Sequence, residues 1–166
     1  NRPVPPLPVP DQPVGGPRMG ACGDVHAAGA PAPPRVGVAS YVVADLDTGA
    51  VLAARAPHAR NRPASLLKLL TVLVVTPRLD PRQVVTGTAE DADVDGSRAG
   101  VGPGGRYTVD QLLTGLLLNS GNDTANALAR TNGGVPATLA EMTRTAHDMG
   151  ALDTRPATPS GLDGPG

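Results

Sequence analysis

Residues 63–73, PASLLKLLTVL, carry the pattern on which the fold assignment of this chain depends. Ser65 and Lys68 lie within a run of leucines and valines, and Lys68 is the only lysine, because 13 of the 14 basic residues are arginines. The pattern predicts an apolar helix that begins at Pro63 or Ser65 and ends before Pro77. Since a helix that is apolar on all sides is buried, we expect Lys68 to lie in a core.

The spacing of Ser65 and Lys68 favours a nucleophile and its base. Positions i and i+3 of a helix share a face, which brings the serine Oγ and the lysine Nζ within hydrogen-bond reach. A neutral amine can take the proton of a serine hydroxyl, and burial lowers the pKa of a lysine, whereas arginine stays charged. The alternative is a chance S-x-x-K pattern whose lysine reaches out to water.

Residues 108–130, TVDQLLTGLLLNSGNDTANALAR, predict two helices with a break between them. Thr108 and Gln111 form a capping-box pattern at the start of the first helix. The break falls at Ser120-Gly121-Asn122, where Ser120 could relay a proton and Asn122 could hold a substrate amide. The alternative is a capping turn that satisfies the N–H groups of the next helix.

Two further elements follow from the pattern. Residues 38–55, VASYVVADLDTGAVLAAR, predict a β-hairpin whose turn places Gly49 at positive φ. A last helix is expected from about Pro136 to Met149 with Gly150 as its cap, and no element after it. Its buried side would consist of Leu139, Met142, Ala146 and Met149.

Composition separates residues 1–34 from residues 35–166. The first segment holds 10 of the 19 prolines, and we expect it to be extended and polyproline-like.

A net charge of -1 and only two aromatic residues, both tyrosines, argue against a nucleic-acid partner. The sequence contains no apolar stretch long enough for a membrane span, and we expect that no signal peptide remains.

Metal and cofactor sites are not expected. Cys22 and His26 are close in sequence, but no second pair with ligand spacing follows them. Cys22 is the only cysteine, so it is either a free thiol or a residue that pairs with another polypeptide.

The motifs resemble those of the penicillin-recognising serine enzymes, which carry S-x-x-K, S-x-N and K-T-G. Residues 63–73, residues 111–129 and the loop 158–166, TPSGLDGPG, are similar to the D-alanyl-D-alanine carboxypeptidases in particular. Gly121, where class A β-lactamases usually carry aspartate, favours the peptidase branch. The resemblance covers about residues 36–166 and implies an α/β (α+β) fold of the β-lactamase/transpeptidase type, with an antiparallel sheet flanked by helices.

The resemblance also implies roles for four residues. Ser65 would be the acylated nucleophile, Lys68 its general base, and Ser120 the residue that passes the proton toward the leaving amine. Asn122 would bind the substrate backbone. One half of the oxyanion hole would be the N–H of Ser65.

One signature of the family is missing, because no lysine, and therefore no K-T-G, follows Lys68. The predicted hairpin also supplies only two of the five strands that the family's sheet contains. We therefore expect residues 35–166 to be the N-terminal part of the catalytic domain, and a second polypeptide to carry the missing strands and K-T-G.

The function implied is that of an exported, extracytoplasmic serine DD-carboxypeptidase. It would remove the terminal D-alanine from peptidoglycan stem peptides through an acyl-enzyme and would be acylated by β-lactam antibiotics. The alternatives are a serine β-lactamase and a catalytically dead cell-wall binding module. Neither Glu90 nor Glu141 adjoins a motif, which disfavours the fast deacylation of a lactamase.

Overall fold

The computed structural model describes residues 15–59 and 61–164. The chain divides into two compact units, one that ends at Asn61 and one that begins at Arg62. In the described part of the chain, no helix has both the length and the apolar character needed to cross a membrane.

The first unit contains a three-stranded antiparallel sheet. Its strands are β1 (Asp24–His26), β2 (Tyr41–Ala44) and β3 (Val51–Arg55), in the spatial order β1-β3-β2. The predicted hairpin is β2 and β3, and Gly49 in its turn has a φ of 71°. Glycine adopts this left-handed conformation without the steric cost of a side chain. Because β2 and β3 pair antiparallel on either side of this turn, the hairpin prediction is confirmed.

Strand β1 differs from the expectation for residues 1–34. Instead of remaining extended and unpaired, residues 24–26 pair with residues 53–55, and a 3₁₀ helix, Pro17–Gly20, precedes them. Met19, Val25 and Ala54 are buried together, so this part of the segment contributes a small apolar core. Residues 1–14 of the same expectation lie outside the described residues.

The second unit is mainly helical. Its helices are α1 (Lys68–Val75), α2 (Ala89–Ala92), α3 (Val109–Leu118), α4 (Asn122–Thr131) and α5 (Val135–Asp148). A 3₁₀ turn, Ala64–Leu67, leads into α1, and strands β4 (Val84–Thr86) and β5 (Arg106–Thr108) form an antiparallel ribbon. Helix α1 packs against α5 and α4, and α3 packs against α4.

Two sequence predictions for these helices need correction. The helical segment 64–75 is not buried on all sides, because Leu66 in the 3₁₀ turn and Leu69 and Leu73 in α1 are between 50% and 73% exposed. Met149 does not lie on the buried side of α5, because the helix ends at Asp148 and Met149 is 55% exposed. The capping box of Thr108 and Gln111 is present, and Gly150 has a positive φ of 81°.

Candidate active site

Ser65 and Lys68 lie one turn apart where the 3₁₀ turn passes into α1. Lys68 Nζ donates a hydrogen bond of 2.9 Å to Ser65 Oγ, as the i, i+3 spacing predicts. Ser65 is exposed, whereas Lys68 is only 3% exposed. The structure therefore combines an accessible hydroxyl with a shielded amine.

The backbone immediately before Ser65 is in an uncommon conformation. Ala64 has a φ of 47°, which is left-handed and rare for a residue with a side chain. Ser120, in the break between α3 and α4, also has a positive φ, of 55°. Non-glycine residues persist in such conformations only where the surrounding structure holds them, and they concentrate at functional sites.

The break between α3 and α4 brings Ser120 to the same point. Ser120 Oγ lies 2.9 Å from Ser65 Oγ and 3.3 Å from Lys68 Nζ. The two serine hydroxyls and the amine thus form a triangle within which a proton can pass by short steps.

Asn122 is the first residue of α4 and is 4% exposed. Its Oδ1 accepts a hydrogen bond of 2.7 Å from Lys68 Nζ, and its Nδ2 donates one of 2.7 Å to the Asp95 carbonyl. Both ends of the side-chain amide are therefore engaged within the protein. The second N–H of Nδ2 is the group through which the predicted contact with a substrate would be made.

The protonation of Lys68 depends mainly on its burial. Loss of water around the ammonium lowers the pKa of Lys68 below that of an exposed lysine. Its four hydrogen-bond partners among the described residues, the hydroxyls of Ser65 and Ser120, Asn122 Oδ1 and the Ser160 carbonyl, are all uncharged. None of them is an anion that would counteract the effect of burial.

Asp123 contributes to the site in a way that the sequence pattern does not predict. Its buried carboxylate accepts hydrogen bonds of 2.8 to 2.9 Å from the N–H groups of Ala99, Gly100, Val101 and Thr124. Burial acts to raise the pKa of Asp123, but these four hydrogen bonds together lower it. The carboxylate fixes the loop around residue 99 beside the first turn of α4, the turn that carries Asn122.

A cleft of about 390 Å³ opens beside Ser65, Lys68 and Ser120. Its apolar walls come from Pro63, Leu66, Leu69, Leu116 and Leu117. Among residues 15–59 and 61–164, no group of three or more His, Cys, Asp or Glu side chains is arranged to hold a metal ion. Cys22 is a free, exposed thiol.

Comparison with known proteins gives consistent matches. The family model described as D-alanyl-D-alanine carboxypeptidase, peptidase S11, matches residues 27–166. The chain is 46% identical over 143 residues to the D-alanyl-D-alanine carboxypeptidase DacB2 of Mycobacterium tuberculosis, a match that covers 86% of this chain and 49% of that protein.

Solved structures agree with the sequence matches. A crystal structure of a D-alanyl-D-alanine carboxypeptidase from Mycobacterium tuberculosis superposes with a TM-score of 0.81 and 45% identity, and the match covers 85% of this chain and 53% of that one. Penicillin binding protein 5 from Haemophilus influenzae gives a TM-score of 0.76 and 31% identity, with 81% and 42% covered. The chain thus spans about half of the length of these relatives, or less, and represents part of the transpeptidase-type fold.

Proposed function

Because the chain belongs to the D-alanyl-D-alanine carboxypeptidase family, peptidase S11, we propose that it supplies the acylation site of a serine DD-carboxypeptidase. The substrate is a peptidoglycan stem peptide that ends in D-alanyl-D-alanine. The observation that carries the proposal is that Ser65, Ser120 and Asn122 all lie within hydrogen-bond distance of Lys68 Nζ, at 2.7 to 3.3 Å.

In the proposed acylation step, Ser65 Oγ forms a bond to the carbonyl carbon of the penultimate D-alanine. Its proton passes to the neutral Lys68 Nζ, and Ser120 conveys a proton to the nitrogen of the departing D-alanine. The C–N bond breaks, and water later hydrolyses the ester on Ser65. The lowered pKa of Lys68 supports this order, because a neutral amine is needed before attack.

Two groups would hold the substrate carbonyl and backbone. The N–H of Ser65, at the N-terminal end of the helical segment, would donate to the developing oxyanion, and the second N–H of Asn122 Nδ2 would bind the substrate backbone. The absence of K-T-G from the 166 residues leaves the terminal carboxylate of the substrate without its usual family partner. We propose that a further segment, on this or another polypeptide, supplies it.

The remaining parts of the proposal follow from the same chemistry. Residues 35–166 act as the N-terminal part of the catalytic domain, and the protein works outside the cytoplasm, where peptidoglycan lies. β-Lactams acylate Ser65 because they present a strained amide in place of the scissile peptide bond.

A lactamase activity, which needs a glutamate for fast deacylation, is disfavoured. Glu141, the more buried of the two glutamates, pairs with Arg78 and Arg144.

Intact mass spectrometry before and after incubation with benzylpenicillin tests the proposal. We expect one covalent adduct per chain, lost in Ser65→Ala and strongly slowed in Lys68→Arg. The untreated spectrum also shows whether a second polypeptide accompanies the chain. Absence of any adduct, with a K-T-G-bearing segment present, would reject the acylation site, whereas rapid turnover of a chromogenic cephalosporin would indicate a lactamase.

A further inference from the structure

Thr71 is a buried hydroxyl that the proposed acylation chemistry does not use. It lies on α1, is fully buried, and stands in a run of apolar residues where valine would fill the same space. Its Oγ1 donates a hydrogen bond of 2.7 Å to the carbonyl of Pro159. The other contact of the hydroxyl, Met142 Sδ at 3.6 Å, is a weak acceptor.

The carbonyl of Pro159 belongs to a three-residue segment, 159–161, that runs along the helical segment, and we name it the strap. Pro159 is bound by Thr71, and the carbonyl of the next residue, Ser160, accepts a hydrogen bond of 3.1 Å from Lys68 Nζ. Gly161 lies against Ala64, where an added Cβ would come within 1.8 Å of the Ala64 carbonyl oxygen.

The partners of the strap share one side of the helical segment. Ala64, Lys68 and Thr71 are separated by four and three residues, the spacing that places side chains on one face. The strap runs antiparallel to the helical segment: residue 159 contacts Thr71, residue 160 contacts Lys68, and residue 161 contacts Ala64. The strap therefore contacts the residue before the reactive serine, the lysine, and Thr71 in the next turn of the helix.

The strap also orients the lone pair of Lys68. A neutral amine has two N–H groups, and two of the four partners of Nζ, Asn122 Oδ1 and the Ser160 carbonyl, can only accept hydrogen bonds. When these two are satisfied, the lone pair is left for the hydroxyls of Ser65 and Ser120. At the other end of the strap, the close contact with Gly161 holds Ala64 in its left-handed conformation, directly before Ser65.

We propose that the strap positions the base and the nucleophile, and that Thr71 and Gly161 are the positioning residues that hold it on the helix. The inference rests on the acylation site proposed above. Neither residue touches substrate. Thr71 acts through the Ser160 carbonyl on Lys68, and Gly161 acts through Ala64 on Ser65.

The titration of Lys68 tests the strap without reference to activity. Because Lys68 is the only lysine in the chain, a ¹³C label at lysine Cε gives one side-chain signal, whose pH dependence reports its pKa. In Thr71→Val we expect the pKa of Lys68 to rise toward that of an exposed lysine, because water reaches the amine. Thr71→Ser should retain the wild-type titration, since it keeps the hydroxyl.

Matched controls separate positioning from general destabilisation. Thr143→Val removes a hydroxyl that bonds only the Leu139 carbonyl on the exposed side of α5, and it should leave the Lys68 signal unchanged. Gly161→Ala should shift the titration as Thr71→Val does, whereas Gly102→Ala, where an added Cβ meets nothing within 4 Å, should not.

Acylation by benzylpenicillin provides the second readout. We expect about a tenfold lower rate in Thr71→Val, because small displacements of catalytic groups are costly. If the wild type forms no adduct, the acylation proposal fails while the Lys68 titration still decides the role of the strap. A wild-type titration in both folded variants would overturn the strap proposal. Failure of both variants to fold would overturn it too, since the strap would then be a folding requirement.

Discussion

Ser65 Oγ and Lys68 Nζ are 2.9 Å apart, although Ser65 is exposed and Lys68 is only 3% exposed. The helical spacing of three residues accounts for the distance, and the position of the pair at a surface cleft accounts for the difference in exposure. The hydroxyl is open to solvent, while burial keeps water from the amine and lowers the pKa of Lys68.

Replacing Lys68 by arginine should remove the proposed base while retaining a positive charge. Because a guanidinium is not deprotonated at accessible pH, we expect the rate of acylation of Ser65 to fall by at least about 100-fold. The rate is measured by quenched intact mass spectrometry with benzylpenicillin. Arg82→Lys, at an exposed position, is the control, and an unchanged rate in Lys68→Arg would show that another group takes the proton.

The pH dependence of stability should show the burial of Lys68. Its pKa in the folded chain lies below its value in the unfolded chain. Between these two pKa values the unfolded chain binds a proton that the folded chain has lost, so the free energy of unfolding rises with pH. Above the ordinary lysine pKa of about 10.4, the free energy of unfolding no longer changes with pH on account of Lys68. Below the lowered pKa, it is reduced by the full free energy needed to bury the charged ammonium.

Lys68→Met removes the titrating group while keeping most of its volume. The difference in free energy of unfolding between wild type and variant should therefore change with pH in that window, in the direction given above. Urea denaturation at a series of pH values measures it. Parallel curves for the two proteins would show that Lys68 has the same pKa in both states.

Asp123→Asn should destabilise the loop around residue 99. The amide oxygen of asparagine can accept hydrogen bonds from some of the four N–H groups that the carboxylate binds. Its NH₂ group is a donor, so the remaining N–H groups would point at another donor. Leaving buried donors unsatisfied should lower the free energy of unfolding by roughly 3 kcal/mol. Because the pKa of Asp123 is lowered, its contribution is present above the ordinary aspartate pKa and is lost as the pH falls through the lowered value.

Chemical denaturation at neutral pH checks this value, with the exposed Asp47→Asn as control. A loss no larger than that of the control would mean that the four hydrogen bonds do not stabilise the loop. Hydrogen exchange should locate the change at Ala99, Gly100 and Val101, whose N–H groups the carboxylate binds.

Gly121→Ala should be destabilising although its φ of -61° suits any residue. An added Cβ would come within 2.7 Å of Thr124 Oγ1 and 2.8 Å of Asp123 Oδ1, both of which are held by hydrogen bonds. We expect a loss of about 1–3 kcal/mol, typical of overpacking. Thermal unfolding of this variant beside Gly102→Ala measures the difference, and equal melting temperatures would contradict the predicted clash.

Local patterns were sufficient for the elements whose side chains interact within one segment. The hairpin around Gly49, the capping box of Thr108 and Gln111, and the break at Ser120 all depend on neighbours a few residues away. Strand β1 could not be predicted in this way, because a proline-rich context masked it and its partners in β3 lie about 30 residues later. The exposed leucines of α1 show the same limit, since a uniformly apolar helix does not reveal which of its faces is covered.

By itself, the sequence determined the pairing of Ser65 with Lys68 and the candidate residues Ser120 and Asn122, because helical periodicity and motif spacing operate over short distances. Only the tertiary structure decided that the Ser65–Lys68 pair meets Ser120 and Asn122, since residues 65 and 120 approach each other through the packing of separate helices. It also decided the parts played by Asp123, Thr71 and Gly161. Their contacts are with backbone atoms 20 to nearly 100 residues away, and backbone atoms carry no residue-specific signal in a sequence.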